Sequence, residues 1–232
     1  GSGPETVVTV ALTDNTPPLN QGDVVAVVHG AWGDSLDEED TRVQASEVAE
    51  SLIRLGMTAP IIALGPDLEQ LPTIFQYNPK VIFNLVEGLG GLGRRAHEAA
   101  ICLAQTGIPI TGVSGGLQEV VNSKISCKLA LQAAGFPTPP WTTTGMEVSG
   151  DDLWIVKPVW EHGSLAMDES SVVKGSEVTA ALAKRRVVSP HDHFAERYVA
   201  GREFNCSVVA GSTGGQVFGA VEMLFVDYPD HG

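Results

Sequence analysis

The chain has 232 residues, 43% of them hydrophobic and 18% charged, the balance of a globular protein with a real core to bury. Its formal net charge of -14 argues against nucleic acid and anionic membrane as partners, because both need a basic face. No apolar run approaches bilayer length, and the three cysteines, Cys102, Cys127 and Cys206, lack disulfide or metal spacing, so they read as reduced, buried thiols of a cytoplasmic protein.

Gly1-Ser2-Gly3 reads as an expression scar with no signal peptide after it. Residues 6–12 predict a strand and 15–22 a Pro- and Asn-bearing turn. The apolar run 24–28 ends at His29-Gly30-Ala31-Trp32-Gly33, and strand, glycine turn and helix in that order open a parallel α/β domain. The helix is predicted over 37–55, with apolar positions Val43, Val48, Leu52 and Leu55 and a C-cap at Gly56. Its acidic start, Asp34, Asp37, Glu38, Glu39 and Asp40, complements the helix dipole without further function.

Residues 61–64 form the next strand, 72–77 a helix or turn, and 81–86 a strand running into Glu87-Gly88-Leu89-Gly90-Gly91-Leu92-Gly93-Arg94-Arg95. A glycine cluster at a strand C-terminus is where open α/β sheets bind ligands, although this spacing is no dinucleotide fingerprint. It equally suits a flexible loop before a helix at 96–105. Arg94 and Arg95 either grip a substrate carboxylate bidentately or open that helix in solvent.

Helices follow at 117–121 and 124–134, and Lys124 and Lys128 share one face of the second, by default a solvated one. Pro137-Thr138-Pro139-Pro140 ends it. Residues 153–156 make a short buried strand with Lys157 at its end, fixed against Pro158, which cannot continue a central strand. Glu161, His162 and the turn Gly163-Ser164 come next. An ammonium beside backbone donors suits phosphate, while the plainer reading is a surface lysine on a strand and turn. A short helix at 176–183 has Ser176 as N-cap, followed by a solvated basic run, Lys184-Arg185-Arg186. Residues 194–205 read as a strand, an acidic residue, a short linker and Gly201-Arg202-Glu203-Phe204 opening a further strand; 218–226 is a strand or strand pair.

Five blocks carry a resemblance in a common order and spacing: Val81-Ile82-Phe83-Asn84-Leu85-Val86-Glu87-Gly88, Gly107-Ile108-Pro109-Ile110-Thr111-Gly112, the lysine helix with its Pro-rich exit to Trp141, Val156-Lys157-Pro158, and the stretch from Phe194 to Asn205. Together they resemble the ATP-grasp family, and within it enzymes like D-alanine–D-alanine ligase, over nearly the whole chain after about residue 24. The resemblance implies an α/β ATP-grasp fold with a Rossmann-like parallel α/β domain at 1–122, a middle subdomain at 123–193 and the start of a C-terminal subdomain at 194–232. It implies carboxylate–amine ligation through an acyl phosphate. It puts Lys124, Lys157, His162, Gly163 and Ser164 at ATP phosphates, Glu196 and backbone groups of Arg197 and Val199 at adenine, and Glu203 at ribose. On the amino-acid side it implies Glu38, Glu87, Gly88, Arg94 and Arg95. Partners are then small-molecule amino acids, and a homodimer is allowed.

The chain departs from the ligases at several places. Glu87 replaces a histidine, Arg94-Arg95 stand where an acidic pair is usual, Ser123 replaces an aspartate, and Gly163 replaces the first of two serines. These departures leave open a ligase for another amino acid or peptide, or a nucleotide-binding module without turnover. The ligases' further lysine, arginine and Asp, Glu and Asn ligands for Mg2+ have no counterpart here. The expectation is therefore a fragment whose magnesium ligands lie in an absent C-terminal part, without turnover and with at most weak ATP binding.

Overall fold

The computed structural model describes residues 18–31, 36–113, 115–162, 167–189, 192–211 and 214–224. The strand expected over 6–12 lies outside them. The chain divides into two compact units, one of Leu19–Val199 and one that holds the residues from Ala200 onward.

In the larger unit, β1 (Val25–Gly30) is buried along its whole length. It is the middle strand of a parallel sheet, between β2 (Ile61–Leu64) and β3 (Val81–Leu85). A continuous apolar run is what a strand covered on both faces requires. Ala26, Val28 and Ile82 pack with Ala99 and Leu103 of α2 (Ala96–Ala104) on one face. Val27 packs with Ala45 and Ala49 of α1 (Leu36–Arg54) on the other. The apolar stripe of α1 therefore differs from the expected one. Two alanines let the helix approach the sheet, Val48 and Leu52 pack beside them, and Val43 and Leu55 are exposed. Gly56 ends the helix at φ +86°, donating its N–H to the Ile53 carbonyl at 2.9 Å.

After a 3-10 turn at Leu71–Tyr77, β3 and α2 come α3 (Gly115–Asn122) and α4 (Lys124–Ala133). The middle of the chain builds an antiparallel sheet in the order β4 (Trp141–Thr142), β7 (His193–Arg197), β5 (Leu153–Pro158), β6 (Val172–Lys174). β5 includes Pro158, which sits at its final position opposite His193. This sheet takes in β7, so it extends to Arg197, beyond the boundary expected at His193. One face, carrying Val156 and Ala195, packs on Val178 and Leu182 of α5 (Val178–Val188).

Ser176 is not the N-cap of α5. It lies in a 3-10 turn, Gly175–Glu177, that the Gly175 and Ser176 amides tie to the Asp152 and Gly150 carbonyls, so the helix starts later. The basic run at the end of α5 is not merely solvated either. Arg185 pairs with Asp168 at 2.7 Å, and Arg186 donates to the Thr143 carbonyl at 2.6 Å.

The second unit contains an antiparallel ribbon of β8 (Glu203–Gly211) and β9 (Gly214–Met223), with a register shift at Ser207/Val208. Cys206 on β8 is exposed and Cys102 and Cys127 are half-buried, which corrects the expectation of buried thiols.

Candidate functional site

The sheet face opposite α5 carries the chemistry. In the β5–β7 register Lys157 lies opposite Phe194 and Ile155 opposite Glu196, so alternation puts Lys157 and Glu196 on one face as diagonal neighbours. Lys157 Nζ is 2.7 Å from Glu196 Oε1. α4 contributes from above. Ser123 caps it by accepting the Ser126 N–H at 3.2 Å, which fixes where its first turn begins. Lys124 and Lys128, one turn apart, both reach this face. Lys128 Nζ lies 2.7 Å from Glu196 Oε2 and donates to Thr138 Oγ1 at 2.6 Å and the Pro139 carbonyl at 3.1 Å. Lys124 Nζ donates to the carbonyls of Pro158, at 3.1 Å, and Glu161. The lysine pair of α4 is thus drawn inward rather than solvated.

Burial alone would raise the Glu196 carboxyl, but hydrogen bonds and attraction from Lys128 and Lys157 outweigh it and hold Glu196 below the ordinary carboxylate range. Burial is the main force on Lys124, reinforced by the nearby Lys157 charge and opposed by Glu161 and Glu196, and brings its ammonium down to about 8. Three ammonium groups here face the carboxylates of Glu196 and Glu161, a surplus of positive charge in an acidic chain. Such a place favours an anion.

The glycine loop meets this site through Glu161, which is buried. Its carboxylate oxygens accept the Gly93 N–H at 3.1 and 3.2 Å. The approach is close enough that a Cβ on Gly93 would stand 2.6 Å from the Trp160 carbonyl oxygen and 2.7 Å from Glu161 Oε2. Beyond Glu161, partial burial and the Lys124 charge hold the His162 imidazole below its ordinary value. Gly163 and Ser164 lie outside the described residues. Glu38 is on α1, and its side chain lies outside them too.

Other predicted residues are engaged differently from expectation. Arg95 forks onto Glu98, at 2.9 to 3.1 Å, and onto the Pro66 carbonyl, so its guanidinium is occupied by the protein rather than open to a substrate carboxylate. Arg94 is exposed beside it, as is Glu87, and Gly88 is half-buried. The Arg197 N–H donates to the Pro140 carbonyl at 2.9 Å, because β7 continues into pairing with the entry to β4; that takes the amide away from a purine edge. The Arg197 side chain pairs with Asp152 and Arg202 pairs with Glu222, so neither arginine salt-bridges Glu196 or Glu203. Val199 is 69% exposed. Glu203 is exposed on β8, in the other unit. Lys128 is the site residue least visible in the sequence; its signals are its four-residue spacing from Lys124 and its place on the lysine-bearing helix of the resemblance, neither of which gives it a role.

Among the described residues no group of three or more His, Cys, Asp or Glu side chains is arranged to hold a metal ion, and no helix is long and apolar enough to cross a membrane.

A parallel α/β sheet followed by an antiparallel sheet with a lysine-lined face is the architecture of an α/β protein of the ATP-grasp fold. The fold matches D-alanyl-alanine synthetase A of Vibrio cholerae with TM-score 0.66 and 15% identity, over 90% of this chain and 69% of that one. It matches the Bacillus anthracis D-alanine--D-alanine ligase complexed with ATP with TM-score 0.61 and 18% identity, over 90% and 72%. In sequence the chain is 27% identical over 221 residues to the D-alanine--D-alanine ligase of Parvibaculum lavamentivorans, covering 90% of this chain and 67% of that protein. No family model matches. In sequence the chain is thus similar to the D-alanine--D-alanine ligases, and it spans 60 to 68% of the length of the curated relatives it matches.

Proposed function

We propose that this chain is the nucleotide-binding part of an ATP-dependent carboxylate–amine ligase that joins amino acids. The observation that carries the proposal is the half-buried Glu196 held between Lys128 and Lys157, with Lys124 beside them, in a chain similar to D-alanine--D-alanine ligases over most of its length. In this reading a carboxylate oxygen of the first amino acid attacks the γ-phosphorus of ATP, and ADP leaves. The amine of the second amino acid attacks the acyl carbon, the C–N bond forms and inorganic phosphate departs, while the amine gives up its proton.

The chain's contribution is positioning and charge neutralisation. Lys157 and Lys124 bring ammonium charge to the phosphates, with His162 and the Gly163-Ser164 turn as further donors. Glu196 and Val199 border the base, and Glu203 accepts the ribose hydroxyls. Glu38, Glu87, Gly88 and Arg94 face the amino acids. Residues 1–122, 123–193 and 194–232 serve as the N-terminal parallel α/β domain, the middle subdomain and the start of the C-terminal subdomain, with β7 completing the middle sheet. Magnesium accompanies the nucleotide in such chemistry; among the described residues no group of three or more His, Cys, Asp or Glu side chains is arranged to hold it, and the positive charge these residues bring to the phosphates is that of the lysines.

A second reading, a ligase for a different amino acid or peptide, is favoured by Glu87 and Arg94 in the glycine loop, which alter the charge offered to a substrate. ATP consumption by the full-length protein against an amino-acid panel, with product masses, tests both. Dipeptide from D-alanine supports the first reading. A product from another amino acid or peptide supports the second. Nucleotide binding without phosphate release on any substrate refutes both in favour of a binding module.

A further inference from the structure

The three lysines of the site differ in what their ammonium groups have left to give. An ammonium has three N–H donors. Lys128 has three acceptors at hydrogen-bonding distance: Glu196 Oε2 at 2.7 Å, Thr138 Oγ1 at 2.6 Å and the Pro139 carbonyl at 3.1 Å. It is 7% exposed. All its donors are committed inside the protein, and no face remains for a ligand. The side chain of Lys157 is 28% exposed, and its ammonium meets Glu196 Oε1 at 2.7 Å. Lys128 therefore cannot work as a phosphate-binding lysine, despite sitting one turn from Lys124.

We infer that Lys128 is a positioning residue: it clamps one oxygen of Glu196 to α4 and to the Pro-rich crossing, so that the other oxygen holds the Lys157 ammonium at the nucleotide-facing surface. The inference rests on the proposed ATP site, and it deepens that reading. Glu196 is nearly enclosed, with 13% of its side chain exposed; Lys128 from α4 and Lys157 from β5 pair with it directly, and the Lys124 charge acts on it from α4. Remove Lys128 and the carboxylate keeps one direct partner. It is then free to turn both oxygens onto Lys157, drawing that ammonium inward, because a buried carboxylate with unmade hydrogen bonds is costly. Thr138 and Pro139 lose their donor as well, which loosens the crossing between α4 and β4.

The test uses the full-length protein and the variants Lys128→Met, Lys128→Arg, Glu196→Gln and Lys128→Met/Glu196→Gln. A carboxyl-carbon NMR titration of Glu196 without nucleotide should show its midpoint rising in Lys128→Met and returning toward the parent value in Lys128→Arg. An unchanged midpoint in Lys128→Met overturns the inference. ATP titration should show about tenfold weaker binding for Lys128→Met, the scale of one charge-assisted contact. The double variant should bind as Glu196→Gln does, since the clamp then has no carboxylate to hold. If Lys128→Met does not fold, the comparison of the double variant with Glu196→Gln, neither of which has a carboxylate at 196, decides: a double variant tenfold weaker than Glu196→Gln overturns the inference. Absence of ATP binding by the parent, with the Glu196 midpoint shift intact, refutes the ATP reading while leaving the Lys128–Glu196 pair established. Equal ATP affinities in parent and Lys128→Met refute the clamp while leaving the ATP reading intact.

Discussion

Replacing Gly93 by alanine adds one methyl group at the junction of the glycine loop and the phosphate-side loop. The new Cβ would lie 2.6 Å from the Trp160 carbonyl oxygen and 2.7 Å from Glu161 Oε2, distances that real Cβ atoms essentially never show. φ at Gly93 is not positive, so the backbone conformation itself accepts alanine and the cost is steric. The chain has two ways out. Trp160 and Glu161 can be pushed back, an overpacking cost of about 1–3 kcal/mol. Or the loop can withdraw, which lengthens the Gly93 N–H bonds to the Glu161 carboxylate, now 3.1 and 3.2 Å; a hydrogen bond to a charged group is worth about 1.5–3 kcal/mol. The cheaper route sets the outcome, so the expected destabilisation is about 2 kcal/mol rather than the sum of the two. Gly116 supplies the opposite case. It lies on α3 with nothing within 4 Å of a built Cβ, so Gly116→Ala should stabilise by about 0.4–1 kcal/mol through the unfolded chain. Urea unfolding followed by far-UV circular dichroism, at unchanged m, reads both. A Gly93→Ala protein within about 0.5 kcal/mol of the parent, the range of an ordinary surface change, would refute the packed junction.

Lys157→Met should weaken ATP binding by about 1.5–3 kcal/mol with the fold intact; unchanged titration calorimetry would remove Lys157 from the phosphate site. Lys124 yields a pH dependence. Its folded value is about 8 against the ordinary 10.5, so the unfolded chain holds more protons between those values and this residue's contribution to stability rises with pH across that window. Nucleotide affinity runs the other way, falling above pH about 8 as the ammonium neutralises, with proton uptake on binding in calorimetry; Lys124→Arg should abolish both, and a flat profile in the parent would exclude Lys124 from the phosphates. Glu203→Ala should cost more affinity for ATP than for 2′,3′-dideoxy-ATP, and equal losses would show that Glu203 does not read ribose.

Continuous apolar runs and glycine punctuation made β1, β2, β3 and α2 legible from the sequence, because local periodicity and turn chemistry are properties of neighbours along the chain. The block order from Val81 to Asn205 likewise carried the fold, since it marks how elements succeed one another. Pairing across the chain was not legible. That α1 docks through Ala45 and Ala49 depends on how closely a helix can approach a sheet it meets only after folding. The occupied guanidinium of Arg95 and the spent amide of Arg197 depend on Glu98, Pro66 and Pro140 standing where the tertiary structure puts them. Lys128 is the sharpest instance. By spacing it is one more lysine on a helix face, solvated by default, and nothing local distinguishes it from Lys124. Glu196, 68 positions further on, draws it inside, because a carboxylate enclosed between two sheet strands and a helix needs cations at short range. Sequence by itself determined the longer elements and their order, though not the short strands β4 and β6, which exist through their pairing with β7 and β5; only the tertiary structure decided which charges are brought together, since that energy depends on distance and burial, which local sequence does not specify.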